Sequence, residues 1–111
     1  MKVVYIAGPY RAADAWLIEQ NIRRAEALAL EVWRMGAACL CPHCNTRHFQ
    51  GAADDALWLA GDIAMLERCD ALMLTPNWAE STGATVERGH ALARGMPVFE
   101  TLDDLRDWLA R

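Results

Sequence analysis

Two rhythms of apolar residues alternate along the chain. Short continuous apolar runs occupy Val3–Ala7, Ala37–Cys41, Ala71–Thr75 and Pro97–Glu100. They are too short for helices and end at Gly, Pro or Thr, so they read as buried strands. Between them apolar residues recur every three or four positions. In Asp14–Met35, Ile18, Ile22, Ala25, Ala29 and Val32 mark one face, and Glu19, Arg23, Glu26 and Arg34 the other. That spacing predicts an amphipathic helix, capped by Asp14 and stopped by Gly36. Asp54 or Asp55 opens a second helix that runs to about Arg68, with Leu59, Ile63 and Leu66 as its buried stripe. Ser81 or Thr82 caps a third over Gly83–Arg94, with Gly95 as its stop. Thr101 caps a last one, with Asp103 and Asp104 at its start and Arg106 and Arg111 towards its end, as the helix dipole favours. Pro42–Ala53 and Thr75–Thr82 read as loops.

Apolar strands alternating with helices predict a parallel sheet covered on both faces. Right-handed crossovers then give a doubly wound three-layer α/β sandwich, flavodoxin-like or Rossmann-like, with four strands in the order 2-1-3-4. The 111 residues make one domain, 1–111. Ligands of such sheets bind beyond the carboxyl ends of the strands, where the order reverses. The loops Gly8–Arg11 and Thr75–Gly83 are thus expected to flank one site. Pro42–Phe49, with His43 and Asn45, lies at its side.

Composition narrows the function. A hydrophobic share of 54% and a charged share of 23% exclude disorder. Net charge is −4 and no basic run exists, which argues against a nucleic-acid partner. No apolar run approaches the roughly 18–20 residues that span a bilayer, and the chain enters its first strand at once, without a signal-peptide core. A cytoplasmic protein with no membrane partner is expected. Cysteines stand at 39, 41, 44 and 69. Their spacing lacks the second close pair of a structural zinc site, so neither a metal nor another cofactor is expected. Tryptophans 16, 33, 58, 78 and 108 are many for this length. They are expected in the core or at contacts of a homodimer or larger homo-oligomer, with the first two long helices supplying the interface. Trp78 is the exception, because its loop places it where it can cover a flat base.

The strand ends carry the candidate chemistry. Gly8-Pro9-Tyr10-Arg11 contains neither G-x-G-x-x-G nor a P-loop. The acid pair of a receiver domain and the Ser/Thr-rich loop of a flavodoxin are missing too. Gly8 permits close approach of a ligand or another backbone. Arg11 suits phosphate or carboxylate, or is simply a solvated residue at a helix start. A helix that begins with Ser81 and Gly83 is a ready anion site. Glu87 can reach the pocket over small neighbours, or it lies on a wet face. Asp62 borders a buried stripe, as a cap or as part of a site. Two separated carboxylates at one sheet end suit glycosidic chemistry.

Three segments together carry a family resemblance. They are Tyr5-Ile6-Ala7-Gly8-Pro9-Tyr10-Arg11, Gly61-Asp62 leading to Cys69-Asp70, and Ser81-x-Gly83-x-x-x-Glu87 followed by Gly95-x-Pro97-Val98. The chain resembles the nucleoside 2-deoxyribosyltransferase-like proteins, which include deoxynucleoside 5′-monophosphate N-glycosidases. It looks closest to a small bacterial and phage branch of unknown function. The resemblance implies that Glu87 is a nucleophile forming a glycosyl-enzyme intermediate and that Tyr5 orients it. It implies that Asp62 contacts the base and assists its departure. Gly8, Pro9, Tyr10, Arg11, Ser81 and Gly83 would hold the substrate, with Ser81, Gly83 and Arg11 around a 5′-phosphate. The implied partner is a nucleotide or nucleoside, and the implied reaction is hydrolysis or base transfer. A non-catalytic nucleotide-sensing module on the same fold is the alternative.

Overall fold

The strand Val3–Ala7 (β1) explains most of the architecture, because its successive side chains feed two different cores. The computed structural model describes residues 1–111. After β1 come the helix Ala15–Arg34 (α1), the strand Ala38–Leu40 (β2), a one-turn helix Pro42–Asn45 (α2) and the helix Asp55–Leu66 (α3). The strand Ala71–Leu74 (β3), a 3-10 turn at Trp78–Glu80, the helix Thr82–Ala93 (α4), the strand Val98–Phe99 (β4) and the helix Leu102–Leu109 (α5) complete the chain. All strands are parallel, in the expected order β2-β1-β3-β4. Val4 pairs with Cys39 on one side and with Ala71 on the other.

Side chains alternate across a strand, so β1 and β3 sort by parity. Val4, Ile6, Ala71 and Met73 pack with Ala25, Ala29 and Val32 of α1 and Leu105 of α5. Tyr5, Ala7, Leu72 and Leu74 pack with Leu66 of α3 and Ala84 and Ala91 of α4. Helices α1 and α5 therefore cover one face, and α3 and α4 the other. That burial on both faces is why the strands read as continuous apolar runs.

Caps follow the expected chemistry at three helices. Asp14 accepts from the Leu17 amide at 2.8 Å, Ser81 from Ala84 at 3.0 Å and Thr101 from Asp104 at 3.1 Å. At α3, Asp54 holds the cap position without a side-chain hydrogen bond.

Several expectations need correction. The segment Pro42–Ala53 is not all loop. Pro42 starts α2, where its fixed φ suits a first turn and its missing N–H costs nothing. In α3 only Leu66 is fully covered, and Leu59 is 45% exposed, because the stripe faces an open cavity. None of the five tryptophans is fully buried, although Trp108 and Trp78 pack half-buried against the two cores. Trp16 and Trp33 lie on α1 at 71% and 52% exposure. No helix is long and apolar enough to cross a membrane.

Candidate active site

Beyond the carboxyl ends of β1 and β3 the chain encloses a cavity of about 500 Å³. This is the point where the sheet order reverses. One wall is the loop Gly8–Arg11 with Pro42 and His43 of α2. The opposite wall is α3, through Asp55, Trp58, Leu59, Asp62 and Ile63. The floor is the start of α4, through Ser81, Gly83, Ala84 and Glu87.

Glu87 is 8% exposed and sits one turn into α4, where the small residues Ala84 and Ala91 let it lie down on the sheet. The hydroxyl of Tyr5 donates to its Oε2. Tyr5 itself is fully buried and projects from β1 towards α4. Burial pushes the Glu87 carboxyl up to about 7, the Tyr5 hydrogen bond opposes that rise, and the nearby Asp62 charge adds to it. Burial also pushes Asp62 up to about 6. The phenol of Tyr5 is raised far above its ordinary range by burial first and then by Glu87, so it stays a donor. Two carboxyls of raised pKa at one cavity suit acid–base and nucleophilic chemistry.

The loop Gly8–Arg11 is held tightly. A side chain at position 8 would run into Thr75, the buried residue that ends β3, so only glycine fits. The Asn21 amide donates to the Tyr10 carbonyl at 3.1 Å, and the Tyr10 hydroxyl donates to Gln50 at 2.6 Å. His43 lies against the Tyr10 ring and has Nε2 2.9 Å from the Pro9 carbonyl. Burial lowers the His43 pKa, so the ring is neutral, with Nε2–H as the donor. Arg11 reaches across the mouth to an ion pair with Asp55.

Of the expected site residues, Gly8, Pro9, Tyr10, Arg11, His43, Asp62, Ser81, Gly83 and Glu87 line this one cavity, and Tyr5 lies beneath Glu87. Trp78 and Asn45 are not among the lining residues. Trp78 donates from Nε1 to Glu100 at 2.9 Å and carries the Arg88 guanidinium 4.8 Å from its ring centre. The Asn45 amide lies 3.9 Å from the Met65 sulfur. Of the α3 wall, sequence reasoning named Asp62 and missed Asp55, Trp58, Leu59 and Ile63. Trp58 supplies the flat ring there, tilted against Phe49 at 5.8 Å, and its Nε1 is buried without a partner. Asp55, Trp58 and Asp62 recur at helical spacing, a pattern that was legible. No three His, Cys, Asp or Glu side chains converge to hold a metal ion.

Residues 2–100 match the family model described as a domain of unknown function, DUF4406. The chain belongs to this family. No curated protein matches this DUF4406 chain. Solved structures do share its fold. A 2-deoxyribosyltransferase from Bacillus psychrosaccharolyticus superposes with a TM-score of 0.67 at 16% identity, over 86% of this chain and 69% of that one. The 2-desoxiribosyltransferase of Leishmania mexicana gives 0.63 at 20% identity, over 88% and 62%. A conserved protein from Enterococcus faecalis V583 gives 0.67 at 20%, over 99% and 74%. The DUF4406 chain thus has the 2-deoxyribosyltransferase fold and spans roughly two thirds of those chains. The resemblance read from its sequence motifs points the same way.

Proposed function

We propose that this cavity binds a nucleoside or, better, its 5′-monophosphate, and that the protein cleaves the N-glycosidic bond. The observation that carries the reading is the buried Tyr5–Glu87 pair sharing one cavity with Asp62. Ionised Glu87 attacks the anomeric carbon as the bond to the base breaks, while Asp62 gives its proton to the departing base. The glycosyl ester on Glu87 then passes to water or to a second base. Tyr5 holds the attacking carboxylate in one rotamer. Trp58 offers a flat wall for the base. The 5′-phosphate would sit at the start of α4, near Ser81 and Gly83, and draw Arg11 away from Asp55.

The test incubates the protein with a panel of nucleosides and 5′-monophosphates and follows free base by chromatography. Release from at least one, abolished in Glu87→Gln, is the expected result. Binding to the panel without release by the unaltered protein would instead support a nucleotide-sensing module.

A further inference from the structure

The cysteines around α2 are not absorbed by this reading. Cys41 ends the approach from β2 and precedes Pro42, and Cys44 lies in the single turn of α2. The Cys44 thiol donates to the Cys41 sulfur at 3.7 Å. Cys44 is exposed, whereas Cys41 is mostly covered and packs against the α1 core. Pro42 and His43, the two residues between them, both line the cavity.

We propose that Cys41 and Cys44 form a reversible dithiol–disulfide couple in the cavity wall, closed by exchange with a low-molecular-weight disulfide. An S–S bond of about 2.05 Å requires the sulfurs to close by roughly 1.7 Å, within reach of rotation about the exposed Cys44 side chain. The order of steps follows from access. The Cys44 thiolate attacks one sulfur of the small disulfide, forms a mixed disulfide and releases one small thiolate. The Cys41 thiolate then attacks the Cys44 sulfur and expels the second small thiolate. Two protein thiols are oxidised, one small disulfide is reduced to two thiols, and the two protein protons pass to the leaving thiolates. Burial raises the Cys41 pKa and disfavours it as first attacker, whereas its sulfur, 3.7 Å from that of Cys44, is placed for the second, intramolecular step. The Glu26 carboxylate stands 3.9 Å from the Cys44 sulfur and is itself paired with Arg47 at 3.5 Å. Cys39 and Cys69 are outside the couple. Cys39 packs against the α1 core, and Cys69 is buried and donates to the Met65 carbonyl.

The experiment uses the whole reduced chain, freed of small thiols and incubated with glutathione and glutathione disulfide over a range of ratios. The expected product is a monomeric bridge, lighter than the reduced chain by about 2 Da. The tryptic peptide between Arg34 and Arg47 carries Cys39, Cys41 and Cys44 and should keep one free thiol, that of Cys39. The midpoint ratio should not depend on protein concentration. In Cys41→Ser the reaction should halt as a glutathione adduct on Cys44. Cys44→Ser should form neither bridge nor adduct at Cys41. The proposal falls if the unaltered chain stays reduced, keeps glutathione on Cys44 without closing, or bridges through Cys39, Cys69 or a second chain. Those readouts need no nucleotide, so they stand apart from the proposed glycosidic activity.

Discussion

A buried carboxyl at position 87 has opposite consequences for activity and for stability. Under the proposed reaction, replacing Glu87 by Gln should lower turnover by several orders of magnitude, since an amide cannot form the glycosyl ester. Single-turnover assays of base release would measure this. The folded state raises the Glu87 pKa from an ordinary 4.5 to about 7. It therefore holds a proton that the unfolded chain gives up, and this contribution to stability is lost as pH rises from about 4.5 through about 7. The Gln variant escapes that loss. Thermal melts should show it more stable than the unaltered protein at pH 8, by on the order of 2–3 kcal/mol, and little different near pH 4.5. An equal difference at both pH values would assign the effect to packing. The proposed reaction needs Glu87 ionised and Asp62 protonated, with pKa values of about 7 and about 6. The working form is thus the minority arrangement, and kcat/KM should trace a narrow bell between those values. Asp62→Asn should lower it by about 10²–10³-fold and leave only a limb rising as Glu87 ionises. In the sequence, small neighbours left Glu87 open to a pocket or a wet face, and the motif Ser81-x-Gly83-x-x-x-Glu87 pointed to the site. Trp78 was misread, because a loop after a strand does not say which way a ring turns, and here Glu100 and Arg88 hold it elsewhere.

Helix α4 and the loop after β1 each put one residue under two demands. Ser81 caps α4 and faces the proposed phosphate position. Ser81→Ala should cost about 1 kcal/mol, a Tm fall of roughly 4–6 °C by calorimetry. Ser81→Asp should keep the cap, since Asp caps as well as Ser, yet repel a dianion. Titration calorimetry should then show 5′-monophosphates weakened far more than nucleosides, and equal weakening would remove the phosphate from α4. Gly8 poses the other demand. Gly8→Ala should destabilise the protein by about 1–3 kcal/mol through overlap with Thr75, and Thr75→Ala in the same chain should recover part of that. At this scale the strands and caps were readable from apolar runs and Ser, Asp and Thr positions. Helix α3 was not. Its apolar face reads as core, but Leu59 and Ile63 border the cavity, and periodicity cannot distinguish a core face from a cavity wall.

The whole molecule carries an apolar surface that a monomer has little reason to expose. Leu30 and Trp33 lie one turn apart on α1 at 48% and 52% exposure, and Trp16 and Leu57 are more open still. We expect a homo-oligomer in contact through α1 and α3. Light scattering at tens of micromolar should report at least twice the 12.4 kDa of one chain, and a 12.4 kDa species would overturn this. The strand order was legible because apolar strands separated by helices leave few right-handed solutions. The tryptophans were not, because composition cannot say whether a ring faces the core, a cavity or another surface.

The parity of β1 also bears on how the chain is made. Tyr5 and Glu87 stand 82 residues apart, and β1 has no hairpin partner nearby. During synthesis Val-Val-Tyr-Ile-Ala leaves the ribosome long before β3 exists to flank it. A short β-prone segment without charge then waits unpaired, which exposes it to association with other nascent chains. Its closing contacts are all distant in sequence, so folding is expected to be slow for a chain of this length. The same wait means that Tyr5 meets Glu87 only when the centre of the sheet closes, and a partly folded chain has no assembled site with which to act.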